Sequence, residues 1–255
     1  MTTMVITGVA GGIGVALRAR LEGEGHAVIG VDVRDAEVVA DLATVAGRQS
    51  MVDQVTERSG GELHGVVAAA GVTHDDGGLV TSINFFGAVA TLEGLRPLLA
   101  GQPGASAVAV ASNSATTQPG LSLGHVAACL AGDEPTARAA AGPGIGAYGA
   151  SKLALARWVR RAATHDEWIG AGIRLNAVAP GFIDTPMTAD SRDFILGLGD
   201  VYPIPVGRAG RPEEVAGLIA YLLSDEAGFF CGSVLTMDGG TDAALRPDDW
   251  PTALP

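Results

Sequence analysis

The chain has 255 residues, enough for one α/β domain with a sizeable core. Its formal net charge of −12 argues against a nucleic-acid partner, whose phosphates demand basic patches, and offers nothing to an anionic membrane surface. Two cysteines, Cys129 and Cys231, stand far apart in no CxxC spacing, which speaks against a disulfide framework or a zinc site.

In chain order, residues 4–7 read as a short buried strand. Residues 12–24 read as a helix with Ile13, Ala16, Leu17 and Leu21 at helical spacing. A second apolar run, 27–31, ends at Asp32, and a third, 63–69, ends at Gly71. Residues 79–99 look helical. A fourth strand, 105–111, ends at Ser112, and residues 147–164 form a long helix. Strand 173–179 is stopped by Pro180-Gly181. Helix 212–223 carries Pro212 in its first turn, where the missing N–H costs nothing. Strand 233–237 runs into Asp238-Gly239-Gly240. No apolar run approaches the roughly 20 residues that span a bilayer, and no basic-then-apolar leader opens the chain, so a cytoplasmic protein is expected.

Strands alternate with helices, and the strands are nearly continuous apolar runs. This predicts a doubly wound parallel sheet of Rossmann type, a single domain over residues 1–255. Two stretches are long for connections: 116–146, a helical insertion just ahead of Tyr148, and 182–205. Both leave carboxyl ends of strands, where ligands bind in open α/β sheets.

The turn Thr7-Gly8-Val9-Ala10-Gly11-Gly12-Ile13-Gly14 joins the first strand to the first helix. Gly8 permits a tight turn, Gly12 a close approach to a pyrophosphate, and Gly14 helix-on-strand packing, with helix N–H groups (Ile13 among them) facing the phosphates. Asp32, about 20 residues on, suits the adenosine ribose hydroxyls and repels a 2′-phosphate. NAD is therefore expected, with NADP disfavoured, although Arg34 follows closely. Asp41-Leu42 is a candidate flank for the adenine.

Tyr148 and Lys152 form YxxxK on one face of a helix. A phenol with pKa about 10 is a poor base at neutral pH. A neighbouring ammonium, helped by the nicotinamide charge, would lower it enough to exchange a proton with an alcohol or carbonyl oxygen. Ser112, at a strand end on the same sheet edge, is the candidate for holding that oxygen, with Ser114 as its competitor. The five histidines, His26, His64, His74, His125 and His165, show no ligand spacing and read as surface or loop residues, so no metal is expected. Asp75-Asp76 reads as a solvated turn.

These pieces together resemble the short-chain dehydrogenase/reductase family over essentially the whole chain. The matching residues are Gly8, Gly12 and Gly14, Ala69-Ala70-Gly71, Asn84, Ser112, Tyr148 with Lys152, Asn176, Pro180-Gly181 and Asp238-Gly239-Gly240. The resemblance implies a catalytic set of Asn84, Ser112, Tyr148 and Lys152. In it Asn84 holds a proton-relay water, Lys152 also bonds the nicotinamide ribose, and Ile183 and Thr185 hold the carboxamide. Gly71 joins the cofactor-binding set. One departure is Ala68-Ala69-Ala70-Gly71 in place of Asn-Asn-Ala-Gly.

Within the family the stretches 31–38 and 40–42, the insertion, and residues 146–152, 172–176 and 238–247 resemble the bacterial hydroxysteroid dehydrogenase/carbonyl reductase branch. That implies oxidation of a secondary alcohol, or reduction of a ketone, on a bulky apolar molecule such as a hydroxysteroid. Leu121, Leu123, Val126, Phe182, Met187 and Phe194 are the candidate pocket lining. A 3-oxoacyl-carrier reductase, a diol or sugar-alcohol dehydrogenase and a catalytically silent NAD-binding protein are the alternatives. The family also implies a homodimer or homotetramer, whose usual face, helices 79–99 and 147–164, the insertion would obstruct.

Overall fold

In a computed structural model, which describes residues 2–249, seven parallel strands make one sheet in the order β3-β2-β1-β4-β5-β6-β7. The strands are β1 (Thr3–Thr7), β2 (Ala27–Asp32), β3 (Val38–Val39), β4 (Gly65–Ala68), β5 (Ser106–Val110), β6 (Arg174–Pro180) and β7 (Val234–Met237). The helices are α1 (Gly12–Gly23), α2 (Val45–Ser59), α3 (Gly77–Thr81), α4 (Ala88–Leu99), α5 (Ser114–Thr117), α6 (Leu123–Leu130), α7 (Glu134–Ala140), α8 (Gly144–Ala162), α9 (Arg192–Leu196), α10 (Pro212–Leu223) and α11 (Thr241–Leu245).

Side chains alternate across each strand, so each face needs its own cover. Val5, Val66, Ala107 and Ala109 pack with Met51 and Val55 of α2, Leu92 and Leu95 of α4, and Leu155 and Val159 of α8. Met4, Ile6, Val67 and Val108 pack with Leu17 and Leu21 of α1 and Val215 and Ile219 of α10 on the opposite face. With both faces buried, the strands read as unbroken apolar runs. The doubly wound parallel sheet is therefore present as expected, with strand ends shifted by a residue or two.

Among the elements that escaped the sequence reading are β3 and α2, along with the short helices α9 and α11. The edge strand β3 has two residues. Helix α2 buries only Arg48, Met51 and Val55 along its 15 residues, so its apolar stripe is thin. Its ends were nonetheless marked: Thr44 Oγ1 accepts the Gly47 N–H at 3.0 Å, and Gly60 closes the helix with φ +67°.

The helix expected over 79–99 is a continuous run, Gly77–Leu99, in three pieces: α3, a wide π-type segment over Ser82–Gly87, and α4. Contrary to the expectation that no apolar run has this length, its 23 residues are long and apolar enough to cross a bilayer. Its most apolar stretch is 61% buried within the fold, as in a core helix.

The insertion forms α5, α6 and α7. It is fastened to α2 by Arg48, which meets Glu134 through Nη1–Oε2 at 2.7 Å and Nη2–Oε1 at 2.8 Å. Arg138 adds a hydrogen bond to Ser82 Oγ. His125 is fully buried in α6, its Nε2 2.9 Å from Thr81 Oγ1, which itself donates to Gly77 O. His125 is thus a core residue, not a surface or loop one. Val126 and Cys129 face the core beside it, and burial pushes the Cys129 thiol up to about 12. Asp76, read as part of a solvated turn, caps α3 by accepting the Gly78 and Leu79 N–H groups.

Candidate active site

A cleft of about 400 Å³ opens at the carboxyl ends of β1, β2 and β4. Gly8, Gly12, Ile13, Asp32, Asp41, Leu42, Gly71 and Thr185 line it, together with Arg34, Val72 and Met187. The structure thus gathers all but one of the expected non-catalytic cofactor residues in one place. The exception is Ile183, whose side chain is 6% exposed, packs into the core beneath the sheet, and lines a separate cavity with Phe182.

The floor of the cleft is main chain. Helix α1 begins at Gly11 with no side-chain cap and no acid in its first turn. Its leading N–H groups therefore have no partner from their own helix or a capping side chain. By contrast α2, α3, α6 and α7 are each capped by a side chain. Glycine is required here by space: a Cβ on Gly14 would lie 2.1 Å from Gly8 O, and one on Gly12 would lie 2.8 Å from Thr185 Cγ2. Asp32 closes one end. Its Oδ2 accepts the Ala10 N–H at 3.0 Å and its Oδ1 the Val33 N–H at 2.7 Å, so the carboxylate is fixed against the glycine turn. An uncapped helix start, a glycine floor and a fixed acid together fit a dinucleotide.

The other end is made of buried side chains. Lys152, 3% exposed, donates from Nζ to Val110 O at 2.7 Å, and burial lowers it to about 8. Its ammonium lies 5.9 Å from the centre of the Tyr148 ring. Burial raises the Tyr148 phenol above its ordinary value, while a hydrogen bond with Ser112 opposes the rise. The lowering expected from Lys152 together with the nicotinamide charge is not present in the protein alone, where desolvation dominates.

Asn84 sits in the π-type segment and clamps Val72 from both sides, accepting its N–H at 2.8 Å and donating to its carbonyl at 3.0 Å. A Cβ on Gly71 would lie 3.3 Å from Asn84 Oδ1 and 3.4 Å from Lys152 Nζ. The absence of a side chain at Gly71 leaves room there for both polar groups.

The steroid-pocket candidates fare less well. Val126 is core, 1% exposed, and Leu121 packs against that core. Leu123 and Phe194 are 62% and 68% exposed. Met187 lines the cofactor cleft, and Phe182 belongs to the separate cavity. The sequence reading also missed a latch beside Ser112. Asn113 Nδ2 donates to Tyr202 Oη at 2.9 Å and to Asp238 Oδ2 at 3.2 Å, tying the 182–205 excursion to the strand end.

The 3-alpha-hydroxysteroid dehydrogenase/carbonyl reductase of Comamonas testosteroni is 39% identical over 260 residues, covering 97% of this chain and 99% of the relative. The chain belongs to the short-chain dehydrogenase/reductase family. As a member it is an oxidoreductase acting on CH–OH groups, exchanging alcohol and ketone. The family model described as enoyl-(acyl carrier protein) reductase matches residues 135–242 of this dehydrogenase/reductase. The cis-4-hydroxycyclohexanecarboxylate dehydrogenase of Sinomonas cyclohexanicum is 31% identical over 94% of the chain and 96% of its own length. Among solved structures, the 3-alpha-hydroxysteroid dehydrogenase of Pseudomonas sp. B-0831, complexed with NADH, superposes with a TM-score of 0.91 at 42% identity, covering 98% of this chain and all of that one.

Proposed function

We propose that the chain is an NAD(H)-dependent dehydrogenase/reductase of secondary alcohols and ketones on bulky apolar, alicyclic molecules, hydroxysteroids foremost. The observation that carries the cofactor choice is Asp32. Its carboxylate is held at the end of β2 inside the cleft, where a 2′-phosphate would meet an anion. The substrate class is supported by the similarity, across nearly the full chain, to two hydroxysteroid dehydrogenases and to an enzyme of a cyclohexane alcohol.

In this reading Gly8, Gly12, Ile13, Asp32, Asp41, Leu42, Gly71, Thr185 and the main chain at Ile183 hold the dinucleotide, which when bound accepts or supplies the hydride. Ser112 donates a hydrogen bond to the substrate oxygen. Tyr148 takes the hydroxyl proton in oxidation and returns it in reduction. Lys152, lowered to about 8, still carries its charge at pH 7, so it stabilises a phenolate on Tyr148. Asn84, fixed to Val72 at the cleft edge, holds the water that relays the proton to Lys152. Helices α6 and α7 lie over α3 and α8, so a homodimer or homotetramer would assemble through another face, which light scattering of the purified protein would size.

The test is a panel of hydroxysteroids, cyclohexanols, diols and acyl thioesters, each with NAD(H) and NADP(H), followed at the reduced-nicotinamide band. Turnover with alicyclic alcohols and NAD is expected. Turnover confined to acyl thioesters with NADPH would overturn the reading. Asp32→Ser should narrow the ratio of kcat/KM for NAD over NADP by about tenfold or more, the equivalent of one charged contact.

A further inference from the structure

Ser112 and Ser114 compete for one role on sequence grounds, and the structure gives them two. Ser114 Oγ donates to Ser112 Oγ at 3.0 Å, and the Ser114 N–H points to the same oxygen at 3.2 Å. A hydroxyl has two acceptor lone pairs and one proton. With both lone pairs of Ser112 engaged from the Ser114 side, its single proton is left to point away from Ser114, free for the oxygens that react beside Tyr148, whose burial-driven rise Ser112 opposes.

We infer that Ser114 is a positioning residue, whose hydroxyl fixes the direction of the chain Ser114 Oγ–H to Ser112 Oγ–H to the reacting oxygens. The inference rests on the reading of Ser112 and Tyr148 as the proton-exchanging pair. A donor into Ser112 Oγ also polarises its O–H bond, since hydrogen bonds in series strengthen one another. The turn that carries both serines is well held. Asn113 between them is 3% exposed and bound through its amide to Tyr202 and Asp238, and Ala115 N–H closes the turn on Ser112 O at 3.1 Å. The ionisable groups around the pair are Tyr148 and Lys152 from α8, Tyr202 from the 182–205 excursion, and Asp238 after β7. None of these bonds Ser114 Oγ in the described hydrogen bonds, so the serine's effect on Tyr148 passes through Ser112.

The experiment compares Ser114→Ala, Ser114→Thr, Ser112→Ala, Tyr148→Phe and the Ser112→Ala/Ser114→Ala double variant, using NAD and a cyclohexanol. Ser114→Ala should lower kcat about tenfold, the worth of one neutral hydrogen bond, with KM for both substrates within about twofold. The limb of its kcat–pH profile that reports Tyr148 should move to higher pH, because Ser112 is no longer held to stabilise the phenolate. Ser114→Thr keeps a hydroxyl and should restore rate and profile. In the double variant the Ser114 effect should vanish, since it acts only through Ser112. A Ser114→Ala enzyme with unchanged kcat and pH profile overturns the inference, as does full additivity in the double variant. If Tyr148→Phe or Ser112→Ala keeps wild-type turnover, the underlying site reading fails instead.

Discussion

The two ends of the cleft are built from different materials. At the adenosine end, the floor is main chain: an uncapped helix start, glycines that no Cβ can replace, and one carboxylate bonded back to the turn. At the reacting end, the working parts are side chains taken out of water: Lys152 and Asn84 are both nearly or fully buried, and Ser112 is 7% exposed. A backbone-built site is preorganised by the fold and fails only when the fold is disturbed. A side-chain-built site pays desolvation in the folded state for chemistry it performs later. The contrast predicts that substitutions at the first end change binding and folding together. Those at the second should separate activity from stability.

The largest effect is expected from Tyr148→Phe. Removing the proton-exchanging hydroxyl should cut kcat by roughly 10²- to 10⁴-fold, the usual worth of a positioned acid–base group. Dinucleotide affinity, measured by fluorescence titration, should stay within about twofold of wild type. A comparable loss of affinity would break the division between the two ends.

Gly14→Ala is the converse case. Its Cβ would sit 2.1 Å from Gly8 O, a backbone atom that cannot swing aside. Urea unfolding should show a loss of about 3 kcal/mol or more, accompanied by loss of dinucleotide binding. A variant that folds and binds normally would show the glycine floor to be dispensable.

Lys152→Met should abolish turnover yet stabilise the fold. Burial lowers Lys152 from 10.5 to about 8, so between those values the unfolded chain binds its proton more tightly than the folded chain does. The cost is fully present below about pH 8 and fades as pH rises toward 10.5, amounting to about 3 kcal/mol when complete. The unfolding free energies of wild type and Lys152→Met should therefore differ most at pH 7 and converge on the alkaline side. A constant difference across that window would mean the ammonium is not desolvated.

The smallest expected effect lies outside the cleft. Burial lowers His125 below 6.5, so the unfolded chain takes up a proton that the folded core resists. Stability should fall as pH drops through the ordinary histidine range, and His125→Gln should flatten that fall without altering kcat.

What was legible in the sequence follows the same division. The sheet could be read because strands buried on both faces, such as Val66-Val67 and Ala107-Val108, leave unbroken apolar runs. The glycine turn, Asp32 and YxxxK could be read because each is local: its parts lie within a few residues or one βαβ unit. Helix α2 could not, since only Met51 and Val55 give it an apolar stripe. The pocket lining was misjudged at Val126 because the insertion lays its apolar face on the helices beneath it and so adds to the core. The Asn113–Tyr202 latch spans 89 residues, and no periodicity or spacing announces such a contact.

The π-type segment over Ser82–Gly87 has one more consequence. Such a segment holds one residue more than a regular helical turn can accommodate. Excising a single residue there would heal the Gly77–Leu99 helix into uniform α geometry, a better helix by local standards. The remainder would then advance by one helical step of about 100°, carrying Leu92 and Leu95 off the sheet or Asn84 away from Val72. The irregularity is a phase adjuster: it lets one rigid rod satisfy the core at one end and the cleft at the other.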